Sequence, residues 1–393
     1  METKPLFNDE FTGAPAKRVL AHLLRHKENG TAIAGTYCGY APLEIVRAMG
    51  IVPAVLCAFA NSTVAAGEAV LPANLCPLIK SSMGFIETDT CPFFSISQAV
   101  IAETTCDGKK KMFEFISGRR PLYVMDLPQV PEREGAMAHW LGVVKELKAF
   151  LESTFGKTAA DGDLEAAIKD SNGKNRRVMK IFGYAALDAP VLHWSEMLDI
   201  VFLATPLSGA EINGMLEEKL AVLAERAAKG MRVGSPGAPR VLITGSPIAG
   251  DATKVYKIIE EEGGVIVGID SCVGTKPFSS APFSSAIEEG TGDPLAAIAA
   301  RYLRIPCSCM TPNTRRLDEL SALIERTRPD VVIDVVLHAC HSYNIESAKV
   351  ENHVRDRHGV RFLKIVTDYA PGDAGQLKTR IGTVLEMAGQ GKT

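Results

Sequence analysis

Nine cysteines are the residues of this 393-residue chain whose number points most directly to chemistry. Thiolates bind iron–sulfur clusters and zinc, and they also act as nucleophiles and redox groups. A disulfide framework explains them poorly, because cytoplasmic thiols stay reduced and a chain of this length buries a core without cross-links. Three alternatives remain: scattered buried thiols, a redox or nucleophilic cysteine, and a metal cluster.

The spacing of the cysteines narrows these alternatives. Cys307 and Cys309 form the only close pair and no Cys-x-x-Cys occurs, so neither a zinc ribbon nor a ferredoxin-type run is supported. Proline, which restricts the backbone, stands next to Cys76, Cys91 and Cys307. Cys106 is placed in a turn before a helix, where main-chain N–H groups stabilise a thiolate and an anionic cluster.

The cysteines depend on the elements that position them. Apolar runs predict strands over residues 31–36, 52–56, 121–126, 240–244, 265–269, 331–337 and 362–366. Apolar residues at helical spacing predict helices over 42–49, 136–155, 163–181, 210–229, 256–262 and 294–304. The predicted class is α/β, with two doubly wound parallel-sheet domains of Rossmann or flavodoxin type over 1–130 and 236–393 and a helical segment over 131–235.

Several cysteines follow predicted strands. Ligands of doubly wound sheets gather beyond the carboxyl ends of the strands, and four cysteines stand at such ends: Cys38, Cys57, Cys272 and Cys340. A structural thiol is as frequent within a strand as at its end, so this placement favours convergence on one site. An iron–sulfur cluster fits this pattern, because a preformed cleft can bring together thiolates that are distant in sequence.

Composition excludes several classes of function. Lys and Arg total 43 against 46 Asp and Glu, so the net charge of −3 gives no basic field that would attract nucleic acid or anionic lipid. No apolar run is long enough to span a bilayer, and the first residues lack the apolar core of a secretory signal. We therefore expect a cytoplasmic protein without a nucleic-acid or membrane partner. Neither a phosphate-binding loop nor a Gly-x-Ser-x-Gly elbow occurs.

Two further patterns carry weaker signals. His338 and His341 flank Cys340. One of them could form a Cys–His nucleophile with this cysteine. The simpler interpretations are that they donate hydrogen bonds near a cluster or are polar residues at a strand end. The lysines at 109–111 either form a solvated face or steer an anionic substrate or partner.

Six segments resemble the subunits of 2-hydroxyacyl-CoA dehydratases and benzoyl-CoA reductases. They are residues 35–44 (GTYCGYAPLE), 48–53 (AMGIVP), 74–82 (NLCPLIKSS), 103–111 (ETTCDGKKK), 338–343 (HACHSY) and 367–377 (TDYAPGDAGQL). The resemblance covers almost the whole chain. The Cys91-Pro92 pair and Cys307-Ser-Cys309, beside the usual three cysteines, are most similar to the double-cubane cluster protein branch.

The resemblance implies an iron–sulfur cofactor. Dehydratase subunits of this kind carry one [4Fe–4S] cube on three cysteines, which by motif are Cys76, Cys106 and Cys340 here. The double-cubane branch carries an [8Fe–9S] cluster, which calls for six thiolates. The remaining three have to come from five further cysteines.

We assign the second cube to the cysteines of the C-terminal domain, since they can face the first trio across a cleft: Cys272, Cys307 and Cys309. Cys38 and Cys91 are the alternates. Cys57 has an apolar context and is interpreted as a buried thiol.

The resemblance also implies a partner, an iron–sulfur activator ATPase that couples ATP hydrolysis to injection of a low-potential electron. The leading hypothesis is an anaerobic, partner-ATP-dependent iron–sulfur reductase of a small substrate, with the chain as a homodimer because the activator is one. The alternative is a 2-hydroxyacyl-CoA dehydratase component, a lyase with one [4Fe–4S] cluster that acts by a ketyl radical. A third hypothesis is an electron carrier without a substrate.

Dehydratases of this kind pair two different subunits with one cube each, so six available thiolates in one chain favour the reductase over the lyase. A CoA thioester would also need basic residues for its phosphates, for which Arg315 and Arg316 or the lysines at 109–111 are candidates.

Overall fold

The computed structural model describes residues 15–279 and 286–390. Two four-stranded sheets, each wholly parallel, are separated along the chain by a run of helices. This confirms the predicted α/β class with two parallel-sheet units. The domain boundaries at 130 and 235 stay a prediction.

The first sheet lies in the N-terminal third. Its strands are β1 (Ile33–Thr36), β2 (Val52–Val55), β3 (Ala99–Glu103) and β4 (Leu122–Met125), in the order β2-β1-β3-β4. Its helices are α1 (Pro15–Glu28), α2 (Leu43–Ala48), α3 (Val64–Glu68), α4 (Pro77–Glu87), α5 (Pro92–Ile96) and α6 (Asp107–Ser117). Since β2 and β3 flank β1, the chain reverses its direction across the sheet between β1 and β3, where such folds bind ligands.

The middle of the chain is helical. It contains α7 (Ala136–Phe155), α8 (Asp161–Phe182), α9 (Trp194–Ala204) and α10 (Gly209–Ala228), and no strand occurs between residues 131 and 239. Side chains of the first turns define where these helices begin: Asp163 accepts from the N–H of Ala160 at 2.9 Å, and Glu211 accepts from the N–H of Ser208 at 2.7 Å.

The second sheet repeats the order of the first. Its strands are β5 (Arg240–Gly245), β6 (Val265–Asp270), β7 (Val331–Leu337) and β8 (Arg361–Thr367), in the order β6-β5-β7-β8. Its helices are α11 (Lys254–Glu261), α12 (Pro294–Leu303), α13 (Thr314–Thr327), α14 (His341–Asn352) and α15 (Ala374–Gly389). Short 3₁₀ turns occupy Asn61–Thr63, Gly183–Ala185, Gly250–Thr253 and Pro371–Asp373, and a π-helical turn spans His353–Arg357.

One strand was missing from the sequence-based prediction. All five residues of β3 are buried, yet the strand contains two alanines and a glutamate, which have low strand propensity. Its burial under helices on both faces, rather than its local sequence, makes this segment a strand.

The two sheets pack into one apolar core, which contains Val100 of β3 and Ile243 of β5. A close approach joins the halves at the loop after β2. Gly250 has φ +52°, and a Cβ there would lie 2.2 Å from the carbonyl oxygen of Phe59, so only glycine fits. The N–H of Asp251 donates to that carbonyl at 2.9 Å.

Candidate metal centre

A cavity of about 1320 Å³ lies where the carboxyl ends of the two sheets face each other, and all nine cysteines line it. Residues that follow β1 and β2 form one wall, and residues that follow β5 and β7 form another. Every cysteine carries a free thiol. The fold therefore brings the strand-end cysteines together in one cavity, as the sequence predicts.

Cys76, Cys106 and Cys340 form what we call the first thiol group. The thiol of Cys76 donates a hydrogen bond to Cys340, which lowers the pKa of Cys340 to about 7 and raises that of Cys76 well above its ordinary value. Cys106 lies within electrostatic reach of both. The three motif cysteines thus come together from two sheets, although 264 residues separate the first from the last.

Each cysteine of the first thiol group directly precedes a helix: Cys76 precedes α4, Cys106 precedes α6 and Cys340 precedes α14. A backbone N–H group in the first turn of each helix acts to lower the pKa of the thiol before it; these groups belong to Leu78, Lys109 and Tyr343. Unpaired N–H groups and the helix dipole favour negative charge at this position. Three helices therefore favour thiolates, and an anion, at one point.

Cys38, Cys272, Cys307 and Cys309 form the second thiol group. The thiol of Cys309 donates to Cys307, which lowers the pKa of Cys307 to about 6 and raises that of Cys309. Burial, together with the nearby Cys307, raises the pKa of Cys272 to about 11 and that of Cys38 well above its ordinary value. Cys38, named above as an alternate, thus lies with the three cysteines assigned to the second cube.

The second thiol group occupies turns rather than helix ends. Cys307 and Cys309 lie between α12 and α13, in a turn that Tyr40 of the first sheet holds. The hydroxyl of Tyr40 donates to the carbonyl of Ile305 at 2.8 Å and lies 4.0 Å from Cys309 Sγ. The amide of Asn313 donates to the carbonyl of Cys307 at 2.9 Å.

The two thiol groups face each other within the cavity. Cys307 of the second group acts electrostatically on Cys106 and Cys340 of the first. The seven thiols therefore share one cavity, and the two groups act on each other electrostatically.

Two further cysteines line the cavity, Cys57, which acts electrostatically on Cys272 of the second thiol group, and Cys91. Cys57, interpreted above as a buried thiol, is half-buried, and its Sγ donates to the carbonyl of Tyr37 at 2.7 Å. Cys91, the second alternate, accepts from the N–H of Phe94 at 3.3 Å and begins the short helix α5. Burial raises the pKa of both thiols.

The flanking histidines differ in position. His341 begins α14 and lines the cavity, whereas the side chain of His338 is exposed at the end of β7 and is not among the lining residues. Their role as hydrogen-bond donors near a cluster stays a prediction.

The structure corrects two interpretations of basic residues. Lys109 is buried, whereas Lys110 and Lys111 have side chains 51% and 64% exposed, so the three lysines do not form one face. Arg316 is buried in an ion pair with Glu346, and its cation lies 4.7 Å from the ring centroid of Tyr343. It is therefore not available to a phosphate group.

The donor set fits an iron–sulfur cofactor. Both groups offer only sulfur, the ligand type that selects iron–sulfur clusters and zinc among the common cofactors. The three thiols of the first group and the four of the second would be the residues that hold such a cofactor. The buried ammonium of Lys276 makes a long ion pair with Asp270, at 3.5 Å, and acts electrostatically on Cys272 of the second thiol group.

Comparison with known proteins gives consistent matches. A family model described as 2-hydroxyglutaryl-CoA dehydratase, D-component, matches residues 38–388. The chain is 39% identical to the putative dehydratase subunit YjiM of Escherichia coli (strain K12) over 384 residues, which cover 98% of both chains. It is 25% identical to the lactoyl-CoA dehydratase subunit beta of Anaerotignum propionicum over 368 residues, which cover 92% of both. Within the described residues, no helix has the length and apolarity needed to cross a membrane.

Proposed function

The chain belongs to the 2-hydroxyglutaryl-CoA dehydratase D-component family, and from that premise we propose that it is an iron–sulfur reductase with a double-cubane [8Fe–9S] cluster between its two thiol groups. It takes low-potential electrons from an ATP-hydrolysing activator and reduces a small substrate. The observation that carries this proposal is the meeting of seven thiols from both sheets in one cavity. One cube needs no more than four of them.

The cysteines divide into two ligand sets under this proposal. The first cube takes Cys76, Cys106 and Cys340. The second takes Cys272, Cys307 and Cys309, and Cys38 is a fourth thiol within reach. Since six thiolates suffice for the double cubane, the second thiol group has one thiol more than it needs.

The surrounding residues hold and shield this site. When bound, an iron–sulfur cluster supplies single electrons at low potential. The helix N-termini before the first thiol group favour the charged form of its ligands. Tyr40 and Asn313 fix the turn that carries Cys307 and Cys309. Cys76 and Cys307 are buried, which keeps water away from the sulfurs.

The activator fits a chain whose sequence lacks a phosphate-binding loop, since ATP would then be used by the partner. We place this reaction in an anaerobic cytoplasm and expect a homodimer, because a two-fold symmetric activator offers two equivalent docking surfaces.

The second candidate is a dehydratase component with a single [4Fe–4S] cube on the first thiol group. The names of both relatives favour it, because one is a putative dehydratase subunit and the other a lactoyl-CoA dehydratase subunit. A CoA thioester would need basic residues for its phosphates. Arg316 is buried and paired with Glu346, so this residue does not supply them.

The test compares electron delivery with water elimination in the anaerobically purified protein. With the activator and ATP, we expect the visible absorbance of the cluster to bleach and a small reducible substrate to be consumed. The chain alone should neither bind nor hydrolyse ATP. Elimination of water from a 2-hydroxyacyl-CoA would favour the dehydratase. Intrinsic ATP hydrolysis, or full activity with a mild reductant and no ATP, would overturn the proposed division of labour.

A further inference from the structure

Two lysines are buried beside the thiols, one from each half of the molecule. Lys109 lies in the first turn of α6, and Lys276 lies in the turn after β6. Lys109 is 8% exposed and Lys276 is 3% exposed. Lysine is almost never this buried unless its charge has a partner. Lys109 lines the cavity, and thiols act electrostatically on both ammonium groups.

Lys109 faces both thiol groups. Its Nζ donates to the carbonyl of Tyr37 at 3.3 Å and lies 5.9 Å from the centroid of that ring. Cys38 of the second group and Cys106 of the first both act on it electrostatically, as does the buried carboxyl of Glu103. Burial lowers the pKa of Lys109, but these neighbours outweigh burial and raise it.

Lys276 faces the second thiol group. Its ion pair with Asp270 is long, 3.5 Å between Nζ and Oδ1, and its ammonium lacks a hydrogen-bond partner among the described residues. Cys272 and Cys307 both lie within its electrostatic reach. Asp270 also accepts from the hydroxyl of Thr244 at 2.8 Å, so this carboxylate is already partly satisfied.

We propose that Lys109 and Lys276 are positioning residues that balance the negative charge of the bound cluster, Lys109 from between the two thiol groups and Lys276 from behind the second. This rests on the proposed function, because it presumes a cluster on those thiols. Each lysine acts through the cluster and contacts no substrate in this account. The chemical partner is an anionic iron–sulfur cluster with thiolate ligands.

The lysines can influence the cluster because the site has a low dielectric constant. A charge in a protein interior acts far more strongly than one at the surface, and iron–sulfur potentials depend on the net charge around the cluster. Removal of a buried cation makes the addition of an electron less favourable, so the reduction midpoint becomes more negative. Lys109 faces more thiols than Lys276, so its removal should have the larger effect.

The chain supplies a matched control. Lys111 lies on the same helix two residues further on, but its side chain is 64% exposed and pairs with Glu114. The test uses Lys109→Met, Lys276→Met and the control Lys111→Met, with Lys109→Arg as the variant that keeps the charge. Methionine retains most of the side-chain length without the ammonium.

Two quantities are measured on each anaerobically purified variant: iron per chain, and the midpoint from a redox titration followed by absorbance and electron paramagnetic resonance. We expect Lys109→Met to move the midpoint to more negative potential or to lose iron, Lys276→Met to do so less, and Lys111→Met and Lys109→Arg to match the unmodified protein. Thermal unfolding of each cluster-free variant checks that it folds.

The outcomes separate this inference from the proposed function. An unmodified protein without iron refutes the proposed function. A protein with iron whose midpoint and iron content are unchanged in both methionine variants refutes the role of the lysines alone. Loss of iron in Lys109→Arg as in Lys109→Met would show that packing, and not charge, matters at this position. That result would also refute the inference.

Discussion

The two thiol groups are positioned in different ways. Each cysteine of the first group stands immediately before a helix of at least eleven residues. The cysteines of the second group follow β1 and β6 or lie in the turn between α12 and α13. Helix N-termini therefore position the first group, whereas strand ends and a turn held by distant segments position the second.

This difference has a consequence for how each group responds to damage. A thiol at a helix N-terminus keeps its position as long as the helix packs, and the helix dipole favours its anionic form. A thiol in a turn depends on the side chains that hold the turn, such as Tyr40 and Asn313. We expect the first group to retain a ligand when the second is altered, and the second to be the more sensitive to its neighbours.

The largest effect should follow removal of the first thiol group. Cys76→Ala, Cys106→Ala and Cys340→Ala should each lose much of the iron and all reductase activity, because three thiols are the least that holds a cube. Iron per chain after anaerobic purification measures this. Cys91→Ala is the control, because Cys91 also begins a helix and is partly buried but lies outside both groups.

Ordinary buried cysteines behave as small apolar groups, so alanine at such a site keeps iron and changes stability only modestly. Normal iron and activity in all three variants would refute the assignment of the first cube. Loss of iron in Cys91→Ala would bring that cysteine into the ligand set.

Removal of the second thiol group should have an intermediate effect. Cys272→Ala, Cys307→Ala and Cys309→Ala should leave about half of the iron if the two cubes are separable. Total loss would mean one inseparable cluster. Unchanged iron would move the ligands to Cys38 and Cys91, and the electrostatic contact of Cys38 with Cys307 makes Cys38→Ala the first variant to add.

A smaller effect should come from Tyr40→Phe, which removes the hydroxyl that ties the turn of Cys309 to the first sheet. We expect a partial loss of iron, together with the loss of about 1 kcal/mol of unfolding free energy that a buried hydrogen bond contributes. Tyr302→Phe is the matched control, since its buried hydroxyl binds Glu44 at 2.8 Å. Equal iron in the two variants would contradict the dependence of the second group on Tyr40.

The smallest effect is a change in titration of the cluster-free protein. Each group has one acidic thiol, with a pKa of about 7 for Cys340 and about 6 for Cys307, because a neighbouring thiol donates to it. Thiolate ultraviolet absorbance should therefore rise as pH increases through these values. Cys76→Ala removes the donor to Cys340 and Cys309→Ala removes the donor to Cys307, so each should move one step to higher pH. A profile unaffected by both substitutions would disprove these hydrogen bonds.

The difference between regular elements and long-range contacts also determines which features the sequence could predict. The bounds of α7 and β7 were predicted to the residue, because long periodic or apolar runs specify their own structure. The first thiol group was assigned from motifs that include its helix starts. Cys38 was predicted only as an alternate ligand, and the contact between Tyr40 and Cys309 was not predicted, because a contact across 269 residues leaves no local pattern. The sequence analysis grouped Lys109 with its neighbours Lys110 and Lys111, which are exposed. Burial of Lys109 alone depends on the tertiary structure and leaves no mark in a run of three lysines.

The most direct test of the account is the content of iron and acid-labile sulfide per chain after anaerobic purification. Two facing thiol groups with one double-cubane cluster predict about eight iron atoms, whereas a dehydratase-type cube predicts about four. A content near eight that falls to about half in the second-group variants would support two adjacent cubes. A protein without iron and sulfide, purified without exposure to oxygen and still folded, would contradict the account.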